Sequence, residues 1–475
     1  FTNNATGYHN LAAGALRPYG GTYSDRQDAT LLSGLFSARY SIFNRYALSV
    51  SVRADGSSLV GENHTWGLFP SVSGEWDVKH EAFLRGVDAV NRLKFRIGYG
   101  ESGNLAGISA YNAVRRMVPT NVVPVNGAPV VTMSEARNYN PDLRWETRGT
   151  FNVGAEAALW DNRLILTVAY YHAVTRYMLY EYEVPVPPFV YNKLLANNGT
   201  LSNDGWELGL GASLLRTRDW GLDVNANLTV QRSRLRSLGG ACLGMQLTAP
   251  RITPIGGMEL GAGFHGGNNN VLYQIVGQPL GVFYLPKSTG LELQPDGSRR
   301  YEIEDLDHNG RINVEDGGDR YVAGQATPKV MLGSNIAVRY KNWDLTMQIN
   351  GAFGHKIFNA TALAYMNMTS FPDYNVMRGA PQQNIKDQNV TDYWLEKGDY
   401  VNVDYITLGW NVPLRSRVIQ GLRLSCSVNN PWTFTAYSGL TPMINSHVVN
   451  ATIGMDDKRS YPVYRTFSMG VNVQF

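Results

Sequence analysis

The segment from Asp305 to Asp316 has the oxygen-rich spacing of a calcium-binding loop. Its first, third and fifth positions carry oxygen ligands, its sixth is glycine and its eighth is apolar. This order follows the EF-hand spacing, in which several oxygens converge on one hard cation and the glycine permits a sharp turn. The predicted ligands are the side chains of Asp305, Asp307, Asn309 and Asp316 and the backbone carbonyl of Arg311.

The alternative for this segment is an Asx-rich surface turn held by its own hydrogen bonds. Its twelfth position is Asp316, where an EF-hand usually has a bidentate glutamate, and no flanking helices are evident in the sequence. A bound Ca²⁺ would stiffen a loop and would not take part in catalysis. A structural Ca²⁺ is therefore the only cofactor that the sequence suggests.

No other spacing in the sequence points to enzyme chemistry. The eight histidines are scattered, and none forms a metal-binding pair such as HExxH. The sequence has no nucleophile elbow and no P-loop, and Gly98-Tyr99-Gly100 lies in a strand pattern with no helix after it. We therefore predict that the protein is not an enzyme and has no catalytic residues.

The composition favours a β-rich protein. Gly (49), Tyr (27) and Trp (10) are abundant in the 475 residues, and this mixture is typical of strands joined by turns. A formal net charge of +3 gives no reason to expect a nucleic-acid partner. No stretch approaches the ~18 apolar residues of a transmembrane helix. A barrel stays open, because its strands are apolar on one side only.

Apolar and polar residues alternate with a period of two along the chain. Segments 222–230, 406–412, 422–428 and 467–475 each place apolar residues on one side and polar residues on the other, as a strand with one apolar face does. About fourteen segments qualify as strands by such signals. We expect the polar sides to line a hydrated lumen, with Arg53, Lys94, Arg96, Asp223, Asn225, Asn227 and Arg423 among them.

Strand length, aromatic placement and connection length favour a membrane barrel over a soluble sandwich. Many strands approach the ~9–11 residues that span a bilayer, and aromatic residues such as Tyr170 and Trp432 crowd the strand ends. Short turns alternate with long connections near 100–140, 184–202, 236–275, 285–327, 358–400 and 437–463. We therefore predict a single domain over residues 1–475, an all-β transmembrane antiparallel β-barrel with long extracellular loops.

Seven segments, spread over most of the chain, occur in the order of a known family. They are Arg53-Ala54-Asp55-Gly56-Ser57-Ser58, Trp66-Gly67-Leu68-Phe69-Pro70-Ser71-Val72-Ser73, Ser102-Gly103-Asn104, Asn140-Pro141-Asp142-Leu143-Arg144-Trp145-Glu146-Thr147, Gly205-Trp206-Glu207-Leu208, Val276-Gly277-Gln278-Pro279-Leu280-Gly281-Val282-Phe283-Tyr284 and Trp394-Leu395-Glu396-Lys397-Gly398-Asp399-Tyr400. The last alternating strand ends on the aromatic Phe475. In this order the segments resemble the SusC/RagA-type TonB-dependent transporters.

The resemblance implies a barrel of about 22 strands that is filled by an amino-terminal plug. Such a transporter imports a large nutrient, an oligosaccharide or a peptide, across the outer membrane of a Gram-negative, Bacteroidetes-type bacterium. The implied partners are the TonB complex, a SusD-like lipoprotein at the extracellular face and membrane lipid.

The sequence departs from the family pattern because the plug, the TonB-contacting segment and the early strands have no counterpart in it. We therefore expect a carboxy-terminal portion of about 14 strands, which closes against the plug and early strands of the same transporter. The alternatives are a passive outer-membrane porin, an outer-membrane barrel enzyme and a soluble carbohydrate-binding β-sandwich.

Overall fold

The computed structural model describes residues 27–257, 270–415, 418–444, 453–456 and 462–475. Its strands are β1 (Leu31–Ile42), β2 (Tyr46–Ser57), β3 (Trp66–Asp77), β4 (Val90–Asn104), β5 (Met117–Val125), β6 (Ala128–Glu135), β7 (Glu146–Leu159), β8 (Leu164–Glu183), β9 (Lys193–Arg216), β10 (Trp220–Cys242), β11 (Met245–Thr248), β12 (Ile252–Gly257), β13 (Asn270–Ile275), β14 (Val282–Pro286), β15 (Ser288–Leu293), β16 (Arg299–Ile303), β17 (Arg320–Gln325), β18 (Val330–Tyr340), β19 (Trp343–Phe353), β20 (Lys356–Asn359), β21 (Leu395–Lys397), β22 (Tyr400–Asn411), β23 (Gly421–Thr435), β24 (Met455–Asp456) and β25 (Thr466–Gln474). Two short α-helices, α1 (Ala360–Tyr365) and α2 (Ala380–Gln383), and 3₁₀ turns at Glu62–His64, Val78–His80 and Asp392–Trp394 complete the described elements.

A single large sheet organises the molecule. Its strand order is β1-β2-β3-β4-β7-β8-β9-β10-β18-β19-β22-β23-β25, and β11 is a fourteenth strand that pairs only with β10. Every pair along this path is antiparallel. The all-β antiparallel architecture and the number of strands agree with the prediction from the sequence.

The connections alternate between the two ends of this sheet. At one end they are short, as at 43–45, 160–163 and 341–342. All three use left-handed backbone, with φ of 55° at Phe43, 53° at Trp160 and 51° at Lys341, which lets a few residues reverse the chain. At the other end, connections such as 243–329 and 354–399 carry strands and helices of their own.

One predicted connection is mostly strand. The sequence pattern suggested a long loop at 184–202, but β8 continues to Glu183 and β9 begins at Lys193, and these two residues pair directly. The prediction was wrong because it relied on alternation. Beyond the apolar part of a strand that alternation fades, while backbone pairing continues.

Three of the long connections fold together into a unit that we call the cap, namely the described parts of 252–326, 356–397 and 437–456. Its buried core contains Val271, Leu272, Phe283, Leu285, Tyr301, Ala323, Ala326, Phe358, Ala360, Leu363, Ala364, Ile385, Val390 and Met455. The parallel pairing of β20 with β24 joins the second connection to the third. The cap is therefore a small packed structure and not three independent loops.

The two ends of the large sheet carry strands with one neighbour each. Within the described residues β1 pairs only with β2, and β25 only with β23. All twelve residues of β1 are exposed. Among the described helices, none has the length and hydropathy to cross a membrane.

Candidate functional site

The outer face of the large sheet is a broad apolar surface. Leu208 and Val168 lie opposite each other on β9 and β8, and Met469 on β25 is 89% exposed. Single exposed apolar residues are common in soluble proteins, but a contiguous face of this kind is found where lipid or another protein covers it. The apolar sides of the strands therefore point outward, as the barrel hypothesis requires.

Aromatic residues border this apolar face at both ends. At the short-turn end the ring centroids of Trp220 and Tyr340 are 4.3 Å apart, and those of Trp343 and Trp410 are 5.2 Å apart. At the other end Tyr170 and Trp206 are 5.0 Å apart. Trp206 pairs with Val230 on β10, and Val230 lies about ten residues along that strand from Trp220. At a ~40° tilt of the strand, the two aromatic borders are therefore roughly 25 Å apart along the barrel axis. That height matches the hydrocarbon core between two interfacial girdles.

The inner face of the sheet is polar. Lys94 Nζ lies 2.7 Å from Glu75 Oε1, and Arg39 Nη2 lies 3.5 Å from the other oxygen of the same carboxylate. A cavity of about 630 Å³ opens along this wall, and Arg96, Arg148, Asn152, Tyr171 and Glu207 line it. By register and alternation, all seven residues predicted for the lumen lie on this inner face.

A bidentate ion pair crosses one strand of the inner wall. Arg423 on β23 donates from Nη1 and Nη2 to the two carboxylate oxygens of Asp344 on β19, at 2.5 Å and 2.7 Å. Between them lies Gly409 of β22, where a Cβ atom would come within 2.2 Å of Arg423 Nη2. Glycine at this position therefore makes the contact across β22 sterically feasible.

Polar contacts tie the cap together as well as its apolar core. Asp392 accepts hydrogen bonds from the backbone N–H of Ser288 at 2.7 Å and from the Tyr321 hydroxyl at 2.6 Å. Tyr437 donates to the buried carboxylate of Asp456 at 2.7 Å. Burial, followed by the nearby negative charge of Asp456, raises the pKa of Tyr437 far above its usual value. The hydroxyl thus remains a donor at any physiological pH.

The predicted calcium loop lies in the cap between β16 and β17. Oxygen atoms of Asp305, Asp307 and Asp319 lie within 4.8 Å of one another, a spacing that carboxylates around one Ca²⁺ can have, since each Ca–O distance is about 2.4 Å. Asp305 accepts the backbone N–H of Gly310 at 2.7 Å. This hydrogen bond is the main reason why the pKa of Asp305 lies below its usual value, which keeps the carboxylate charged.

Not all of the predicted ligands join this group. Asp316 accepts from Tyr273 at 2.6 Å, and its carboxylate lies 3.3 Å from Arg320 Nη1. The side-chain oxygen of Asn309 accepts the backbone N–H of Arg311 at 2.8 Å, as in the Asx turn that was the alternative. Of the five predicted ligand residues, Asp305 and Asp307 come together in a carboxylate group.

The third carboxylate, Asp319, was not among the predicted ligands. It is fully buried and accepts backbone N–H groups from Leu306 at 2.8 Å and Asn313 at 2.7 Å. It lies three positions beyond the end of the EF-hand spacing, because Gly317 and Gly318 lengthen the loop. In the sequence, the only signal for Asp319 as a further carboxylate of this group was its position directly before the strand β17.

A sheet with an apolar outer face, two aromatic girdles and a polar inner face defines the class of transmembrane β-barrels. Residues 1–431 match the family model described as TonB dependent receptor-like, beta-barrel. The chain belongs to this family.

Individual relatives agree with the family assignment. The chain is 28% identical over 503 aligned residues to TonB-dependent receptor P3 of Formosa agariphila, covering all of this chain and 48% of that protein. It is 24% identical to TonB-dependent receptor SusC of Bacteroides thetaiotaomicron, with 94% of this chain and 44% of SusC covered. These relatives are named as receptors and not as enzymes. The SusC-type resemblance is confirmed.

The same fold occurs in a solved structure, that of the RagAB peptide transporter. It superposes with a TM-score of 0.73 at 20% sequence identity and covers 94% of this chain and 48% of the transporter chain. The chain spans about half the length of the curated relatives it matches. The fold is therefore that of a partial TonB-dependent barrel, as predicted.

Proposed function

We propose that this chain forms part of an outer-membrane importer that takes up a large nutrient, an oligosaccharide or a peptide, with energy delivered through TonB. The observation that carries the proposal is one sheet with an apolar belt outside and a charged, polar wall inside. A passage lined in this way lets a polar solute cross the hydrocarbon layer without losing its hydration. Relatives from Formosa and Bacteroides support placement in a Bacteroidetes-type outer membrane.

The open edges of the sheet imply partner strands. In lipid, each unpaired backbone N–H or C=O costs several kcal/mol, so β1 and β25 must pair with something. We propose that the early strands of the same transporter close the barrel against these edges, and that its plug fills the lumen. The cap would then stand at the extracellular mouth, where a SusD-like lipoprotein would dock and deliver substrate.

An uptake assay with and without TonB distinguishes an active importer from a passive porin. In the native host, accumulation of a fluorescent peptide pool or a fluorescent oligosaccharide pool is expected to fall to background when the gene is deleted. It is expected to fall equally when TonB is deleted in a strain that keeps the transporter. If uptake depended on this gene but stayed unchanged without TonB, the chain would belong to a porin. The pool that is accumulated identifies the substrate class.

We also propose that the cap loop binds Ca²⁺ through Asp305, Asp307 and Asp319. The convergence of three carboxylates, one of them fully buried, supports this ligand set over the original one with Asp316. The ion would fix the segment that connects β16 to β17 and so stiffen the mouth of the barrel.

Removal of single carboxylates tests the Ca²⁺ proposal. Titration calorimetry of the full-length protein is expected to show at least about tenfold weaker Ca²⁺ binding in Asp305→Asn and in Asp319→Asn, because each loses a charged ligand. Asp316→Asn is the matched control and should bind about as tightly as wild type, since its carboxylate contacts Arg320. Equal losses in all three variants, or no binding by wild type, would contradict the ligand set.

A further inference from the structure

A second cavity, of about 760 Å³, lies where β10 extends beyond the end of its partner β18, towards the cap. There the neighbour of β10 changes. The backbone N–H of Gln231 donates to the carbonyl of Lys329, which directly precedes β18. The backbone N–H of Leu235 donates instead to the carbonyl of Gln278, which lies between β13 and β14. The gap between these two neighbours opens the wall of the sheet at this level.

Five basic residues line this cavity, namely Arg232, Arg234, Lys329, Lys356 and Lys397. Within the described ranges, none of their side chains forms an ion pair. The cavity has one carboxylate, Asp399, which accepts the backbone N–H of Gly354 at 2.7 Å. The residues that line the cavity therefore carry an excess of positive charge, and the carboxylate opposite Arg232 on β9, Asp204, contacts His172.

The arrangement of these charges is unfavourable unless something neutralises it. Lys356 and Lys397 lie directly opposite each other on β20 and β21, and like charges in directly opposed cross-strand positions destabilise a sheet. His355, which also lines the cavity, is only 8% exposed, and its Nδ1 is buried with no hydrogen-bond partner. A bound anion would offset the repulsion between these two lysines.

The height of the cavity on the barrel indicates where such an anion would come from. On β10, Leu228 and Val230 belong to the lipid-facing side. Because side chains alternate, Arg232 and Arg234 continue the same side, about 7 and 13 Å further along the strand. This position lies just above the upper edge of the apolar belt, at the level of lipid headgroups.

We propose that this cavity binds the phosphate-bearing sugar headgroup of a glycolipid in the outer leaflet. Guanidinium groups pair with phosphate in a bidentate manner and lysines add point charges, and the volume is in the range of pockets that enclose a small ligand. A lipid is favoured over a soluble anion because Arg232 and Arg234 share the outward face with the apolar belt. The inference rests on membrane insertion and not on which nutrient is imported.

Binding of lipid A to the full-length protein tests the proposal. Native mass spectrometry in detergent is expected to show retained diphosphorylated lipid A on wild type. Affinity should fall on the order of 100-fold in the triple variant Arg232→Gln/Arg234→Gln/Lys397→Gln, from about 1 kcal/mol per removed cation. The single variants Arg234→Gln and Lys397→Gln should each lose about fivefold, which keeps the test valid if the triple variant assembles poorly.

Arg218→Gln is the matched control, since Arg218 is equally basic and exposed but lies in the turn at the other end of β10. It should bind lipid A as wild type does, and dephosphorylated lipid A should bind no better to wild type than to the triple variant. The proposal is overturned if both lipid forms bind alike, if the control loses as much as the cavity variants, or if only a soluble polyanion such as inositol hexakisphosphate binds.

Discussion

Leu285→Ala is expected to unfold the cap while the large sheet stays assembled. Leu285 is fully buried in the core that the three connections share. Truncating a buried leucine to alanine costs about 2–5 kcal/mol, from lost apolar burial and from the cavity left behind. A core formed by few side chains has little stability to lose, so local unfolding of the cap should become frequent.

Limited proteolysis of the full-length protein measures this effect. Cleavage within 270–325 and 356–397 should become at least about tenfold faster, because the open state is populated more often. Leu293→Ala is the matched control: Leu293 lies on β15 of the same connection but is 67% exposed, so cleavage rates should stay near those of wild type. Altered electrophoretic mobility of the unheated protein would show damage to the barrel, and unchanged cleavage in Leu285→Ala would contradict a shared core.

The large sheet could be predicted from the sequence because the membrane imposes one rule on every strand. Segments 222–230 and 467–475 alternate because lipid accepts apolar side chains on one face while water fills the other. The first lies in β10 and the second, up to Gln474, in β25, each with the predicted sides outward and inward. Beyond the edge of the bilayer, apolar and polar residues no longer need to alternate. Residues 193–202 of β9 were therefore predicted as part of a loop.

The cap could not be predicted, because its core is assembled from distant parts of the chain. Val271, Phe358 and Met455 meet although they belong to three different connections. Each connection contributes strands of only two to six residues, too short for a periodic pattern. Their apolar residues are visible in the sequence, but the contacts between connections are not.

The predicted calcium loop could be derived from the sequence only in part, unlike the large sheet and unlike the cap core. The spacing located the turn and two of its carboxylates, since local hydrogen bonds within 305–311 follow from the Asx residues themselves. It did not indicate Asp319, because the position of that carboxylate depends on tertiary contacts. Tyr273 and Arg320 hold Asp316, and Asp319 is the carboxylate that lies close to Asp305 and Asp307.

Ala226→Arg is expected to destabilise the barrel far more than the same change one residue earlier. Ala226 lies on the lipid side near the middle of the apolar belt, opposite Leu210. Arginine at the midplane of a barrel's lipid face costs about 2–4 kcal/mol. Asn225→Arg places the same charge at the same depth on the inner face, opposite Gly211. There water can solvate it, so its cost should stay below about 1 kcal/mol.

The free energy of unfolding of the full-length protein, measured by guanidinium titration in phospholipid vesicles, compares the two variants directly. The two variants introduce the same charge and the same side chain at the same depth. The difference between their free energies of unfolding therefore reports which way each side chain points. A larger loss of unfolding free energy in Asn225→Arg than in Ala226→Arg would mean that lipid contacts the polar face of the sheet. A sheet in that orientation could not enclose a hydrated passage. Equal small losses would mean that neither face meets hydrocarbon, and the importer proposal would fail with the membrane placement on which it depends.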